Sequence, residues 1–133
     1  MVLYAPESEA RGRCEIAPDT WFPSLEQVGD FLDESARADV KAPQQTLNLN
    51  SQNRADIRDA QLFVVYIELM QRLNARQRAE LFKEQKRWLG KRNEYAEITV
   101  VSRGGSLAPM EYNAAFRAFT EDRILQLQIF NSR

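Results

Sequence analysis

The sequence predicts an all-α fold, an antiparallel helical hairpin or bundle of three long helices plus a short N-terminal helix. Three observations predict it. Apolar residues recur at helical spacing in four segments. Two of these segments open on Ser or Asn followed three residues later by Gln, at Ser24/Gln27 and Asn74/Gln77, the signature of a reciprocal helix cap. Gly104, Gly105 and Pro109 then punctuate the chain before the last segment. At 133 residues and 44% hydrophobic content, the chain can build one modest core and has little left for a second.

Residues 1–23 show no periodicity and carry Pro6, Pro18 and Pro23, which predicts an irregular acidic arm ahead of a single helical domain over 24–133. Trp21 and Phe22 end that arm and are expected to close one end of the core, with a partner-binding anchor as the alternative. Leu25, Val28, Phe31 and Leu32 predict a short first helix over 24–39. Pro43 and several Gln and Asn with few apolar neighbours mark 41–53 as a connection. Over 54–73, Ile57, Leu62, Phe63, Val64, Val65, Tyr66, Ile67, Leu69, Met70 and Leu73 cover more than one face, as in a helix packed on several sides. Asn74 restarts the chain as an antiparallel helix over 75–102 with Leu81, Phe82, Trp88, Leu89 and Tyr95 inward. The β-branched group Ile98, Thr99, Val100 and Val101 weakens its end, which is free to fray or extend. Gly104 and Gly105 are expected to stop this helix, and Pro109 to open a fourth over 109–130 with Tyr112, Ala115, Phe116, Phe119, Leu127 and Phe130 inward.

Composition excludes several functions. The chain has no histidine, so the commonest general base and the commonest transition-metal ligand are both missing, and neither a metal nor another cofactor is expected. Cys14 stands alone, without a CxxC partner. The first 15 residues lack the apolar stretch of about 7 to 15 residues that a signal peptide needs, and no run reaches transmembrane length. The chain is thus expected to be either cytoplasmic or a mature form without its targeting segment. The formal charge of −1 argues against general nucleic-acid binding. It divides unevenly: residues 1–40 hold nine acids against three bases, which leaves +5 on the rest.

Eight basic residues lie between Arg76 and Arg103, but Glu80, Glu84, Glu94 and Glu97 are interleaved at pairing distance, as on a solvated, ion-paired helix face. Of the paired carboxylates, Glu121 and Asp122 are adjacent and diverge on a helix. Asp56 and Asp59 fall near a predicted helix start, where acids are favourable, so an enzyme reading is set aside. The segment 102–109 carries more. It is expected to act as a cap and reverse turn, and Arg103, Gly104, Gly105, Ser106 and Leu107 form the alternative or additional candidate, an inhibitory tip that enters a partner's cleft. Arg103 and Ser106 would there donate hydrogen bonds to catalytic carboxylates.

Gln85, Lys86, Arg87, Trp88 and Leu89, then Arg92, Asn93 and Glu94, then the run from Gly104 to Met110, then Tyr112, Thr120, Arg123 and Leu127 follow one another in a distinctive order. This order resembles the LprI-type lysozyme-inhibitor family, in which a Q-x-x-W-L-x-x-R helix leads to a GGS turn and a helix ending in T-x-x-R. Asp59, Ala60, Gln61 and Leu62, with Tyr66 and Leu73, fit its preceding helix more loosely, so the resemblance covers about residues 55–130. It implies a bacterial α-helical envelope protein, periplasmic or secreted, with Gln85, Trp88, Leu89, Arg92, Thr120 and Arg123 as structural motif residues. Relatives typically carry cysteines where this chain has Ala96 and Ala115.

The resulting expectation is a non-catalytic protein that binds a peptidoglycan-cleaving enzyme and occludes its cleft. The target would be a host lysozyme or a rival's muramidase or amidase effector, and in the second case the chain would be an immunity protein. The alternative is a structural or assembly module of the envelope. Two geometric expectations follow from counting outward from the turn. Trp88 and Arg123 come to similar heights, so Arg123 either lies on the indole or stays solvated beside ordinary core packing. Ala96 and Ala115, each seven residues from the turn, should face one another.

Overall fold

The helices of the computed structural model, which describes residues 24–38 and 41–131, begin where local chemistry places them. Ser24 Oγ accepts from Gln27 N at 3.1 Å and Gln27 Oε1 accepts from Ser24 N at 2.9 Å, closing the cap on α1, Leu25–Ala38. The same reciprocal pair joins Asn74 and Gln77 at the start of α3, Ala75–Thr99. Between them runs α2, Gln44–Arg72, and α4 is Ala108–Asn131. All four elements among the described residues are helices, in agreement with the expected class. The acidic arm over 1–23, with Trp21, Phe22 and Cys14, lies outside the described residues.

The expected connection over 41–53 is corrected: α2 starts at Gln44, directly after Pro43. Its polar first half is helical because its side chains are satisfied by other parts of the fold. Gln44 Nε2 donates to Asn48 Oδ1 at 2.8 Å and reaches Met110 Sδ at 3.3 Å. Asn48 Nδ2 donates to the Ser106 carbonyl at 3.0 Å, and Asn113 Nδ2 donates to Ser51 Oγ at 3.1 Å. Tertiary bonds of this kind outweigh weak intrinsic propensity. Asp56 and Asp59 therefore sit in mid-helix, and the favourable N-terminal position expected for them is also corrected.

Helix α3 ends earlier than expected. Thr99 is its last residue, Thr99 Oγ1 bonds back to the Tyr95 carbonyl at 2.7 Å, and Val100 is already extended at φ −70° and ψ 122°. The β-branched cluster thus stops the helix, as its crowded side chains favour. Gly104, at φ +77°, belongs to the turn beyond and does not cap the helix.

Helices α2 and α3 are antiparallel, joined near their reversal by Arg78 Nε on the Met70 carbonyl and farther away by Arg92 on Asp59. Helix α4 is antiparallel to α3, with Gln85 against Arg123 and Tyr95 against Phe119, and parallel to α2, with Ser51 against Asn113 and Arg58 against Glu121. The core comprises Leu62, Leu69, Leu81, Trp88 and Leu127, packed by Val65, Tyr66, Met70, Leu73, Phe119 and Ile124. Each fully buried leucine contributes about 1.5–3 kcal/mol. Phe82, Leu89 and Tyr95 of α3 and Phe130 of α4 were expected inward but stand substantially exposed. The buried stripe of α3 is Leu81, Gln85, Trp88, Arg92 and Ala96, and Phe82 and Leu89 fall on the neighbouring stripe.

Candidate partner-binding site

A polar ladder fixes the α3–α4 hairpin from within. Arg92 Nη1 donates to Asp59 Oδ1 at 2.7 Å and to Thr120 Oγ1 at 3.2 Å, while the Thr120 hydroxyl donates to the Phe116 carbonyl at 2.7 Å. Its guanidinium carbon lies 3.9 Å from the Phe116 ring centre and 5.0 Å from that of Trp88. Arg123 Nε donates to Gln85 Oε1 at 2.9 Å, Nη1 to Gln126 at 3.1 Å and Nη2 to Glu84 at 3.3 Å. Trp88 stacks on Phe119 with centroids 5.4 Å apart. Gln85, Trp88, Arg92, Thr120 and Arg123 thus form one buried network, in which each guanidinium withdrawn from water has anionic and neutral acceptors, although the buried Arg92 Nε itself has none. Leu89 is not part of it. Of the anticipated surface pairs, Arg76 with Glu80 forms at 3.6 Å, whereas Glu84 turns to Arg123.

The ladder holds up a tip, and the tip is separately clamped. Glu111, in the first turn of α4, accepts from Val101 N at 3.0 Å and Ser102 N at 2.9 Å through Oε1, and from Ser102 Oγ at 2.8 Å through Oε2. These bonds, the Ser102 amide foremost, hold the Glu111 carboxyl below its usual range. Gly105 N closes the turn on the Ser102 carbonyl at 2.8 Å, and Asn48 holds the Ser106 carbonyl from α2. Arg103, Gly104, Gly105, Ser106 and Leu107 are all exposed. Arg103 Nη2 donates to the Glu97 carbonyl at 2.9 Å, which folds the side chain back onto the end of α3. Ile98 and Val101, 75% and 82% exposed, add apolar surface at this end.

Two features were missed in the sequence, the clamp formed by Glu111 and Asn48 and a groove. Glu111 was signalled only by an acid in the first turn after Pro109, and Asn48 lay in the supposed connection. The groove, of about 620 Å³, lies between α2 and α3 and is lined by Phe63, Tyr66, Phe82, Lys86 and Leu89 with Asp56 and Asp59 at its edge. The excess of apolar residues around α2 was its only sign.

Among the described residues no cluster of three or more Cys, Asp or Glu side chains could hold a metal, and no helix is long and apolar enough to cross a membrane. The fold and this site define a helical domain whose buried charged groups are committed to structure and whose exposed features among the described residues include a clamped tip and an apolar groove. The chain belongs to the LprI lysozyme-inhibitor family: the family model described as "Lysozyme inhibitor LprI" matches residues 35–127. The match takes in the polar first half of α2, beyond the span read from the motifs. Comparison with curated proteins and with solved structures gives no match.

Proposed function

We propose that this chain is a non-catalytic inhibitor that occludes the cleft of a peptidoglycan-cleaving enzyme with the tip over residues 101–107. The observation that carries the reading is the clamp: three hydrogen bonds accepted by Glu111 and one donated by Asn48 preorganise an exposed turn. A preorganised loop loses little entropy on binding, and a projecting tip complements a concave site. Membership of an inhibitor family supplies the class of target, a lysozyme, and fits a periplasmic or extracellular protein. A host lysozyme and a bacterial muramidase effector are both of this type, an amidase effector cleaves the same wall at a different bond, and with either effector as target the chain would serve as an immunity protein. The acidic first 40 residues would steer it toward a basic enzyme.

The test is turnover of peptidoglycan by several lysozyme types and a muramidase effector with the full chain in excess. Saturable inhibition of at least one supports the proposal, and unchanged turnover of all of them rejects it. The groove between α2 and α3 favours the second reading, an assembly module of the envelope whose partner lays an apolar surface there. That reading expects a specific envelope partner and no effect on wall cleavage.

A further inference from the structure

We propose that Arg54, Arg58 and Arg117 form an oxyanion-binding site that Asp33 of α1 occupies as a built-in ligand, and that a carboxylate or phosphate presenting two oxygens displaces α1 from it. Asp33 already shows the geometry. Its Oδ1 accepts from Arg54 Nε at 2.8 Å and its Oδ2 from Arg58 Nη2 at 3.0 Å, one oxygen to each guanidinium. Two arginines one helical turn apart grip any oxyanion of this bite in the same way. Arg117 approaches from α4, and its nearest acid, Glu121, is 3.9 Å away and shared with Arg58, whose Nε it accepts at 2.9 Å. Burial and the neighbouring Arg54 push the Arg117 pKa below its ordinary value. Three half-buried cations thus face two acids, and removing Asp33 would leave them with Glu121 as the one acid and Gln61, which accepts from Arg58 Nη1 at 3.1 Å, as a neutral acceptor.

Helix α1 is shaped to deliver this carboxylate and is otherwise lightly held. Gly29, one turn before Asp33, lies so close over Arg58 that a Cβ there would collide with its Nη1. Gly29 is also the only residue of α1 that is fully buried. Phe31 is 66% exposed, and a void of about 420 Å³ separates Leu25 and Glu26 from Val64 and Val65 of α2 and Ile124 of α4. A helix attached through ion pairs rather than through the core opens at low cost. The family match begins at residue 35, so the cations belong to the matched domain while Gly29 and Asp33 come from outside it.

The experiment is hydrogen exchange by mass spectrometry on the full chain in chloride, phosphate and succinate at equal ionic strength, which removes general screening. Amides of α1 should exchange at least roughly threefold faster in phosphate or succinate than in chloride, with α2–α4 unchanged. A response to phosphate alone identifies a tetrahedral ligand, and a response to succinate alone a carboxylate such as an acidic peptide supplies. Asp33→Asn should release α1 in chloride too, and phosphate or succinate should then add no further increase in its exchange. Equal exchange of α1 in all three salts overturns the proposal, and the wild-type chain alone gives that answer if the variants do not fold. An α1 still fully protected in Asp33→Asn overturns it as well.

Discussion

The guanidinium carbon of Arg123 lies 5.7 Å from the centre of the Trp88 ring while its Nε donates to Gln85 Oε1 at 2.9 Å. One side chain therefore covers the indole and pairs across the hairpin, and the alternative of a solvated Arg123 is excluded by its 6% exposure. Arg123→Lys keeps the charge but loses the planar fork, and should destabilise the fold by about 1–3 kcal/mol. Arg123→Ala should cost more, because Gln85 Oε1 is left without its donor. Urea denaturation of the full chain measures both, and a lysine variant as stable as the wild type would contradict the pairing.

Asp59 and Asp56 should behave differently although they are one turn apart. Asp59 balances the buried Arg92 at 2.7 Å, but its own side chain is 46% exposed, which reduces the effect of losing it. Asp59→Asn should cost about 1–2 kcal/mol, between the values for exposed pairs and the roughly 3–5 kcal/mol of a fully buried pair. Asp56 is exposed at the groove edge, and Asp56→Asn should be neutral in the same denaturation experiment. Equal losses would show that Arg92 does not depend on Asp59.

The clamp on the tip should persist in mild acid. Since the folded Glu111 pKa lies below its ordinary value of 4.5, the clamp contributes fully above that value and is lost as the pH falls through the folded one. The amides of Val101 and Ser102 should therefore stay protected from exchange from neutral pH down to about pH 5 and lose protection in stronger acid. Glu111→Gln should weaken their protection at neutral pH. Loss of protection in the wild type well above 4.5 would mean that another group holds the turn.

How much of this was legible in the sequence depended on how local the cause was. Ser24/Gln27 and Asn74/Gln77 act within one turn, so both caps could be read directly. The β-branched run from Ile98 to Val101 also acts locally, and the helix fails within it. Gln44 and Asn48 misled because their partners, Met110 and Ser106, lie about 60 residues away along the chain. Phe82 and Leu89 have the same apolar spacing as Leu81 and Trp88, and only the direction of α4 decides which stripe is buried. The buried network of Gln85, Arg92, Thr120 and Arg123 was legible as a resemblance, whereas its bonding was not, because hydrophobic pattern says nothing of paired arginines.

Ala96 and Ala115 offer a test of the hairpin register. Both are buried, and the contacts of Arg92 with Phe116 and Tyr95 with Phe119 run beside them. In a Cys14→Ser background, Ala96→Cys with Ala115→Cys should oxidise to a disulfide, provided the Cα atoms lie about 4.4–6.8 Å apart. Closing this loop should add on the order of 3 kcal/mol, less any strain. Thermal unfolding of the oxidised and reduced forms measures the gain. Failure to crosslink would put the two helices in a different register.

The most direct measurement of the occlusion account compares two variants in one assay of lysozyme turnover. Leu107→Asp alters the exposed tip and Phe82→Asp alters the exposed groove, and neither replaces a buried residue. With a lysozyme that the wild-type chain inhibits, Leu107→Asp should weaken inhibition at least about tenfold, or roughly 1.4 kcal/mol, while Phe82→Asp leaves it unchanged. Full inhibition by Leu107→Asp together with loss of inhibition by Phe82→Asp would contradict the account and move the binding surface from the tip to the groove.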